Sequence, residues 1–180
     1  KLSFGWVTGF VWKPTSQDTF GFDYHSGVRN DLSGKYKIYA GAEAKSILAL
    51  ANGPLGAALN LPPISPDGGD ANARVDMPAF AHLDWVHFFN DRFSLAADVS
   101  WTNWNDFQNL ALVSNGHQLV ALPEKYKDSW SYSIGGEYRV TEAWTLRGGL
   151  AYDETPTNDE TRDPRIPDGS RKIVAVGVGY

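Results

Sequence analysis

The residues able to do covalent or metal chemistry are few, and their spacing argues against both. His25 and Ser26 are adjacent, a pairing that would suit a hydrolytic nucleophile and its base. Neighbours in a strand point to opposite faces, so these two side chains would diverge, and there is no Gly-x-Ser-x-Gly elbow. The four histidines, His25, His82, His87 and His117, share no metal-ligand spacing. His82 and Asp84 fall two apart, on one face of a strand, where a hydrogen-bonded pair is expected. No cysteine is present, which excludes disulfides and thiolate sites. Asp153, Glu154, Asp159, Glu160 and Asp163 crowd one connection. Such a run could hold Ca²⁺, but is more often a solvated loop. No enzymatic activity and no cofactor are expected.

What remains is binding chemistry. Ile47, Leu48, Leu50, Leu55, Ala57, Ala58, Leu59 and Leu61 concentrate in one segment, within a connection from Tyr39 to Asn72. An apolar patch in a solvent-facing connection marks a binding surface or a small core of its own. It is not a membrane helix. A span needs about 20 predominantly apolar residues, and Ser46 to Pro63 is broken by Asn52, Gly53, Pro54, Gly56 and Asn60. The net charge is −5 with both signs dispersed, so no basic block invites nucleic acid.

The elements around these residues alternate with period two. Leu2, Phe4, Trp6, Thr8, Phe10 and Trp12 form one face of a first strand, with small residues between them. Phe20, Phe22 and Tyr24 alternate with Gly21, Asp23 and His25, and the pattern continues to Leu32. A third run from Arg74 to Phe89 sets Val75, Met77, Ala79, Ala81, Leu83 and Trp85 against Asp76, Pro78, Phe80, His82 and Asp84. Pro78 predicts a bulge or kink there. Phe93 to Thr102, Ser129 to Arg139, Trp144 to Asp153 and Val174 to Tyr180 repeat the alternation, giving seven strands.

Short turns (Pro14 to Asp18, Asn90–Asp91, Val140 to Ala143) alternate with long connections (Tyr39 to Asn72, Leu112 to Glu124, Thr155 to Ser170). Apolar-phase positions beside the short turns are aromatic: Trp12, Phe20, Phe89, Phe93, Tyr138, Trp144 and Tyr180. Phe4, Trp101, Tyr126, Trp130 and Tyr152 form a second belt toward the opposite end. Alternating turn lengths with aromatic belts are features of transmembrane barrels, and only helices and closed barrels satisfy their backbone in lipid. A soluble sandwich, the competing reading, would rarely align so many aromatics beside a charged second face. Seven strands would leave two open edges, so the chain is expected to be part of a larger barrel.

The inward face would carry charges of both signs, among them Asp23, His25, Arg29, Asp31, Lys35, Lys37, Arg74, Asp76, Asp84, Asp98, Lys125, Lys127, Glu137, Arg139 and Arg147. Most should pair across strands. Lys125 and Lys127, near the outer end of the fifth strand, are the candidates for holding a ligand carboxylate.

Several segments carry a resemblance. They are Phe20-Gly-Phe-Asp-Tyr-His-Ser-Gly-Val28 with Gly34, Met77-Pro-Ala79, Trp101-Thr-Asn-Trp-Asn-Asp-Phe107, and Tyr132-Ser-Ile-Gly-Gly-Glu-Tyr138. Trp144-Thr-Leu-Arg-Gly-Gly-Leu-Ala-Tyr-Asp153, Pro156, Ile166-Pro-Asp168 and Gly177-Val-Gly-Tyr180 complete the set. In this order they resemble the FadL family of outer-membrane transporters for long-chain fatty acids and related hydrocarbons. The resemblance implies an all-β fold, a transmembrane antiparallel β-barrel of fourteen strands. This chain would supply about seven of them, the sixth to the twelfth, across residues 1–180.

It also implies location in the bacterial outer membrane, a monomeric barrel surrounded by outer-membrane lipid, and a hydrophobic small-molecule ligand. Residues 40–72 would be a long extracellular apolar loop that captures ligand. The implied function is passive uptake of hydrophobic molecules. A general porin for polar solutes, or a surface-exposed adhesin or phage-receptor barrel, are the alternatives.

Overall fold

The computed structural model describes residues 2–37, 39, 41–59, 64–65, 67–162 and 167–180. Among the described residues eleven strands run β1 (Val7–Trp12), β2 (Asp18–His25), β3 (Val28–Tyr36), β4 (Gly69–Met77), β5 (Phe80–Asn90), β6 (Phe93–Thr102), β7 (Asn109–Ser114), β8 (His117–Pro123), β9 (Ser129–Arg139), β10 (Thr145–Asp153) and β11 (Arg171–Gly179). The helices α1 (Ala42–Ala51) and α2 (Pro54–Ala58) lie between β3 and β4. No helix among the described residues is long and apolar enough to cross a membrane.

The alternation is realised in a seven-stranded antiparallel sheet of order β1-β2-β5-β6-β9-β10-β11. Its strands are those the sequence predicts, although two of the seven runs are longer than their membrane-level portions. The register aligns apolar with apolar from strand to strand. Phe10 faces Phe22, Phe22 faces Leu83, Leu83 faces Val99, and Val99 faces Tyr132, which in turn faces Tyr152. Since side chains alternate faces, this fixes every residue on the opposite face as well. That face carries Asp23 against His82, Asp84 against Asp98 and Ser100 against Ser131.

The belt beside the short turns forms as ring contacts. Trp12 meets Phe20 at 5.5 Å, Phe89 stacks on Phe93 at 5.0 Å, and Trp144 meets Tyr180 at 4.9 Å. Aromatic pairs in this range add stability beyond burial. In the second belt, Trp101 is the register partner of Trp130. Tyr126 does not belong to that belt. It is buried against Trp104 and Phe107, with ring centroids at 5.8 and 5.3 Å.

The structure departs from the sequence reading at two places. The second and third runs each break, at Ser26–Gly27 and at Pro78–Ala79, and continue as β3 and β4 in a separate sheet of order β3-β4-β7-β8. The register is the same on both sides of the break: His25 pairs with Phe80 below it and Val28 with Met77 above it. Proline has no N–H to give to the ladder, and at Gly27 a Cβ would come within 3.1 Å of the Met77 carbonyl. The second departure is the hairpin β7–β8, which folds within a stretch read as an irregular connection. Asn115 and Gly116 turn it, both at positive φ (50° and 77°), as a two-residue type I′ hairpin requires.

Candidate functional site

The apolar segment between β3 and β4 folds as a helical pair. Gly53 precedes Pro54, which suits the first turn of a helix because its missing N–H would be unbonded there anyway. Gly56 is buried where α2 crosses α1, and a Cβ there would lie 1.4 Å from the Ala51 carbonyl oxygen. Only glycine allows that approach. Side-chain bonds anchor the pair. Asn52 exchanges amide bonds with the backbone of Ile64, accepting from its N–H at 2.8 Å and donating to its carbonyl. The backbone N–H of Ser65 donates to the Tyr36 hydroxyl at 3.3 Å. Lys45 bonds Asp67 at 2.8 Å, and this hydrogen bond holds the Asp67 carboxyl below its ordinary range.

The pair does not sequester its apolar side chains. Ile47, Leu50, Leu55 and Leu59 are 67%, 69%, 61% and 61% exposed. Leu48 is half-buried, while Ala57 and Ala58 are exposed. Leu61 lies outside the described residues. Among the described residues of the pair only Gly56 is buried. Of the described leucines and isoleucine of the pair, all but Leu48 are exposed.

Lys125 and Lys127 precede β9 rather than lying in it. Lys125 is exposed and has a left-handed backbone, φ 48°. Lys127 donates to Glu154 at 2.7 Å, and that bond holds the Glu154 carboxyl below its ordinary range. The two lysines are thus not equivalent, since one already has a carboxylate partner. The connection from 154 to 170 folds onto this segment through Lys127 N–H to Pro156 O, Asn158 to Lys125 O and Thr161 to Glu124 O. Three acidic residues of the run that the sequence singles out take basic partners. Asp153 pairs with Arg171, Glu154 with Lys127 and Asp159 with Arg162. Asp163 lies outside the described residues. Among the described residues no acidic or histidine group forms a metal cluster.

On the polar face of the seven-stranded sheet, His82 faces Asp23 across the strands and not Asp84 along its own. Its Nδ1 lies 3.5 Å from Asp23 Oδ1, while His25 Nε2 lies 3.3 Å from Asp23 Oδ2 and stacks on Phe80 at 4.2 Å. Ser26 instead accepts the N–H of Trp6 through Oγ at 2.9 Å, so no serine–histidine pair exists. Glu137 and Arg147 pair on the same face at 2.6 Å. Higher up, Arg29 pairs with Asp76 at 3.2 Å and Arg74 with Asp31 at 3.0 Å, on the β3–β4 hairpin. Asp31, Arg74 and Asp76 of these pairs line a cavity of about 410 Å³ with Asp106, Phe107 and Asn109. The sequence pattern contained these charges but not the cavity, which depends on β7 folding beside β4.

The model of the family described as outer membrane protein transport protein (OMPP1/FadL/TodX) matches residues 1–180. The chain belongs to this family. Among FadL-family relatives, the 47 kDa outer membrane protein of Pasteurella multocida is 30% identical over 187 residues, covering 100% of this chain and 40% of that protein. The long-chain fatty acid transport protein of Escherichia coli K12 is 24% identical over 184 residues, with 98% and 38% covered. A crystal structure of a Pseudomonas aeruginosa FadL homologue superposes with a TM-score of 0.85 at 46% identity, over 98% of this chain and 39% of that one. The Pseudomonas putida toluene transporter TodX gives a TM-score of 0.60 at 28% identity, over 97% and 39%. The chain spans about 40% of the length of these relatives.

Membership places this FadL-family chain in the outer membrane as part of a β-barrel. The seven-stranded sheet is not closed by these residues alone. In bacterial outer-membrane barrels the apolar face meets the bilayer and the short turns lie at the periplasmic end.

Proposed function

We propose that this chain forms the ligand-capturing side of a passive channel for hydrophobic molecules, long-chain fatty acids or hydrocarbons. The observation that carries the proposal is the open apolar patch of α1 and α2, in the longest outer connection of a barrel wall. Hydrophobic ligands would gain burial there at about 25 cal/mol per Å² of apolar surface. The names of two relatives support the ligand class: one is a long-chain fatty acid transport protein and another a toluene transporter. Lys125, exposed at the outer end of the wall, would orient a carboxylate; Lys127 would contribute less, being bonded to Glu154. No step requires hydrolysis or redox chemistry, and the driving force is burial followed by release down a concentration gradient.

The test is uptake of a radiolabelled long-chain fatty acid and of toluene in cells lacking their own transporter. The full-length protein is compared with Leu50→Asp/Leu55→Asp. Saturable uptake that falls in the variant supports capture by the helical pair. Absence of uptake of either compound by a correctly inserted barrel would defeat the transport reading.

A further inference from the structure

A polar cluster sits on the bilayer face of the sheet, where apolar side chains are the rule. Asp18, Trp85 and His87 share the phase of Phe20, Leu83 and Phe89, because Asp18 pairs with His87 and Phe20 with Trp85. Asp18 begins β2 directly after the short turn, which places the cluster at the periplasmic edge of the membrane. A charge on this face is expensive at the bilayer midplane and tolerable only near the interface.

The carboxylate is held by three donors. Thr15 Oγ1 donates to Oδ2 at 2.7 Å; Trp85 Nε1 and His87 Nδ1 donate to Oδ1 at 3.1 and 2.7 Å. An ionised carboxylate offers about four acceptor positions, so one remains, on Oδ2. Among the described residues no lysine or arginine bonds Asp18. The group is still reachable: the side chains of Asp18 and His87 are 23% and 21% exposed.

Aromatic rings continue outward from the two ring donors of this carboxylate. His87 lies 5.7 Å from Trp85 and 4.5 Å from Phe89, and Phe89 stacks on Phe93. On the other side Phe20 contacts Trp12. An anion among aromatic rings is the arrangement that binds an ammonium group, through a charge-assisted hydrogen bond and through the ring faces. Lys13 and Arg92 are exposed in the two adjacent turns, and neither bonds Asp18. An acid at the bilayer edge with no lysine or arginine partner among the described residues is complementary to the ammonium group of a lipid.

We propose that Asp18, Trp85 and His87, with the surrounding aromatic rings, bind the ammonium headgroup of an aminophospholipid in the periplasmic leaflet. The site holds one lipid at the β2–β5 seam and does not depend on the transport reading.

The experiment is native mass spectrometry of the full-length protein released from nanodiscs of equimolar phosphatidylethanolamine and phosphatidylglycerol. Retention of phosphatidylethanolamine is expected to exceed that of phosphatidylglycerol by about fivefold or more. Asp18→Asn should abolish the preference, and Trp85→Phe, which keeps a ring but loses the donor, should reduce it. Heat-modifiable migration on gels confirms that each variant has folded. Equal retention of the two lipids by the unaltered protein overturns the proposal whether or not the variants fold. A preference that survives Asp18→Asn in a folded barrel overturns it too.

Discussion

Gly56→Ala should uncouple capture from the barrel. The new methyl would start 1.4 Å from the Ala51 carbonyl oxygen. Non-bonded carbon and oxygen do not approach within 3 Å, so the two helices must separate by roughly 1.5 Å. Overpacking of this kind costs about 1–3 kcal/mol. The helices have little burial with which to absorb it, because Gly56 is the one buried residue among those described in the pair. The strain is therefore relieved by undocking α2 rather than by compressing a core. A penalty of about 2 kcal/mol lowers the docking equilibrium constant by roughly 30-fold, and apparent ligand affinity falls with the competent fraction that results. The assay is binding of a fluorescent long-chain fatty acid to the full-length protein, with limited proteolysis between Ala51 and Pro54 as the structural readout. Barrel unfolding in urea should be unchanged. Wild-type affinity together with wild-type protease resistance would refute the reasoning. Faster cleavage with unchanged affinity would show that the helices dock as described but do not capture ligand.

Arginine at Ile134, on the bilayer face in the middle of β9, should cost about 2–4 kcal/mol in urea unfolding from vesicles, whereas Arg at the neighbouring Ser133 should cost much less. Acidification should loosen the outer connection from 154 to 162. The Lys127 hydrogen bond depresses the folded pKa of Glu154, so its contribution is complete at neutral pH and is lost as pH falls through that lowered value. Hydrogen exchange at Asn158 to Thr161 should accelerate in acid, and Glu154→Gln should flatten that dependence. Lys125→Ala should weaken binding of a fatty acid more than binding of toluene, measured by competition; an equal effect on both would remove Lys125 from carboxylate recognition.

The membrane-level sheet could be read from sequence because a strand records its two faces locally. Phe20, Phe22 and Tyr24 against Gly21, Asp23 and His25 need no knowledge of their neighbours. The break at Ser26–Gly27 was hidden for the same reason, since alternation runs through it without a change of phase. Only Pro78, on the partner strand, signalled it. The β7–β8 hairpin left a legible mark in Asn115-Gly116, between the apolar residues Leu110 to Val113 and Leu119 to Leu122, but the polar residues around the turn masked it. The leucines of the proposed capture segment stood out by composition, whereas their helical form did not, with Gly53, Pro54 and Gly56 arguing for irregular chain. The pairing of His82 with Asp23 and the gathering of Asp18, Trp85 and His87 depend on strand register, which sequence periodicity alone does not set.

The simultaneous interruption of β2–β3 and β4–β5 gives the wall an evolutionary seam. Residues in a continuous ladder are coupled, so an insertion near the tip of a hairpin can shift pairing all the way to its base and turn side chains from one face to the other. Here two residues on each strand lie outside the ladder that joins those strands, between the outer hairpin and the bilayer level. A slip above Val28–Met77 can be taken up at Ser26–Gly27 and Pro78–Ala79 before it reaches His25–Phe80. The outer sheet and its helices can thus change in length and ligand preference while the bilayer-facing rows keep their alignment.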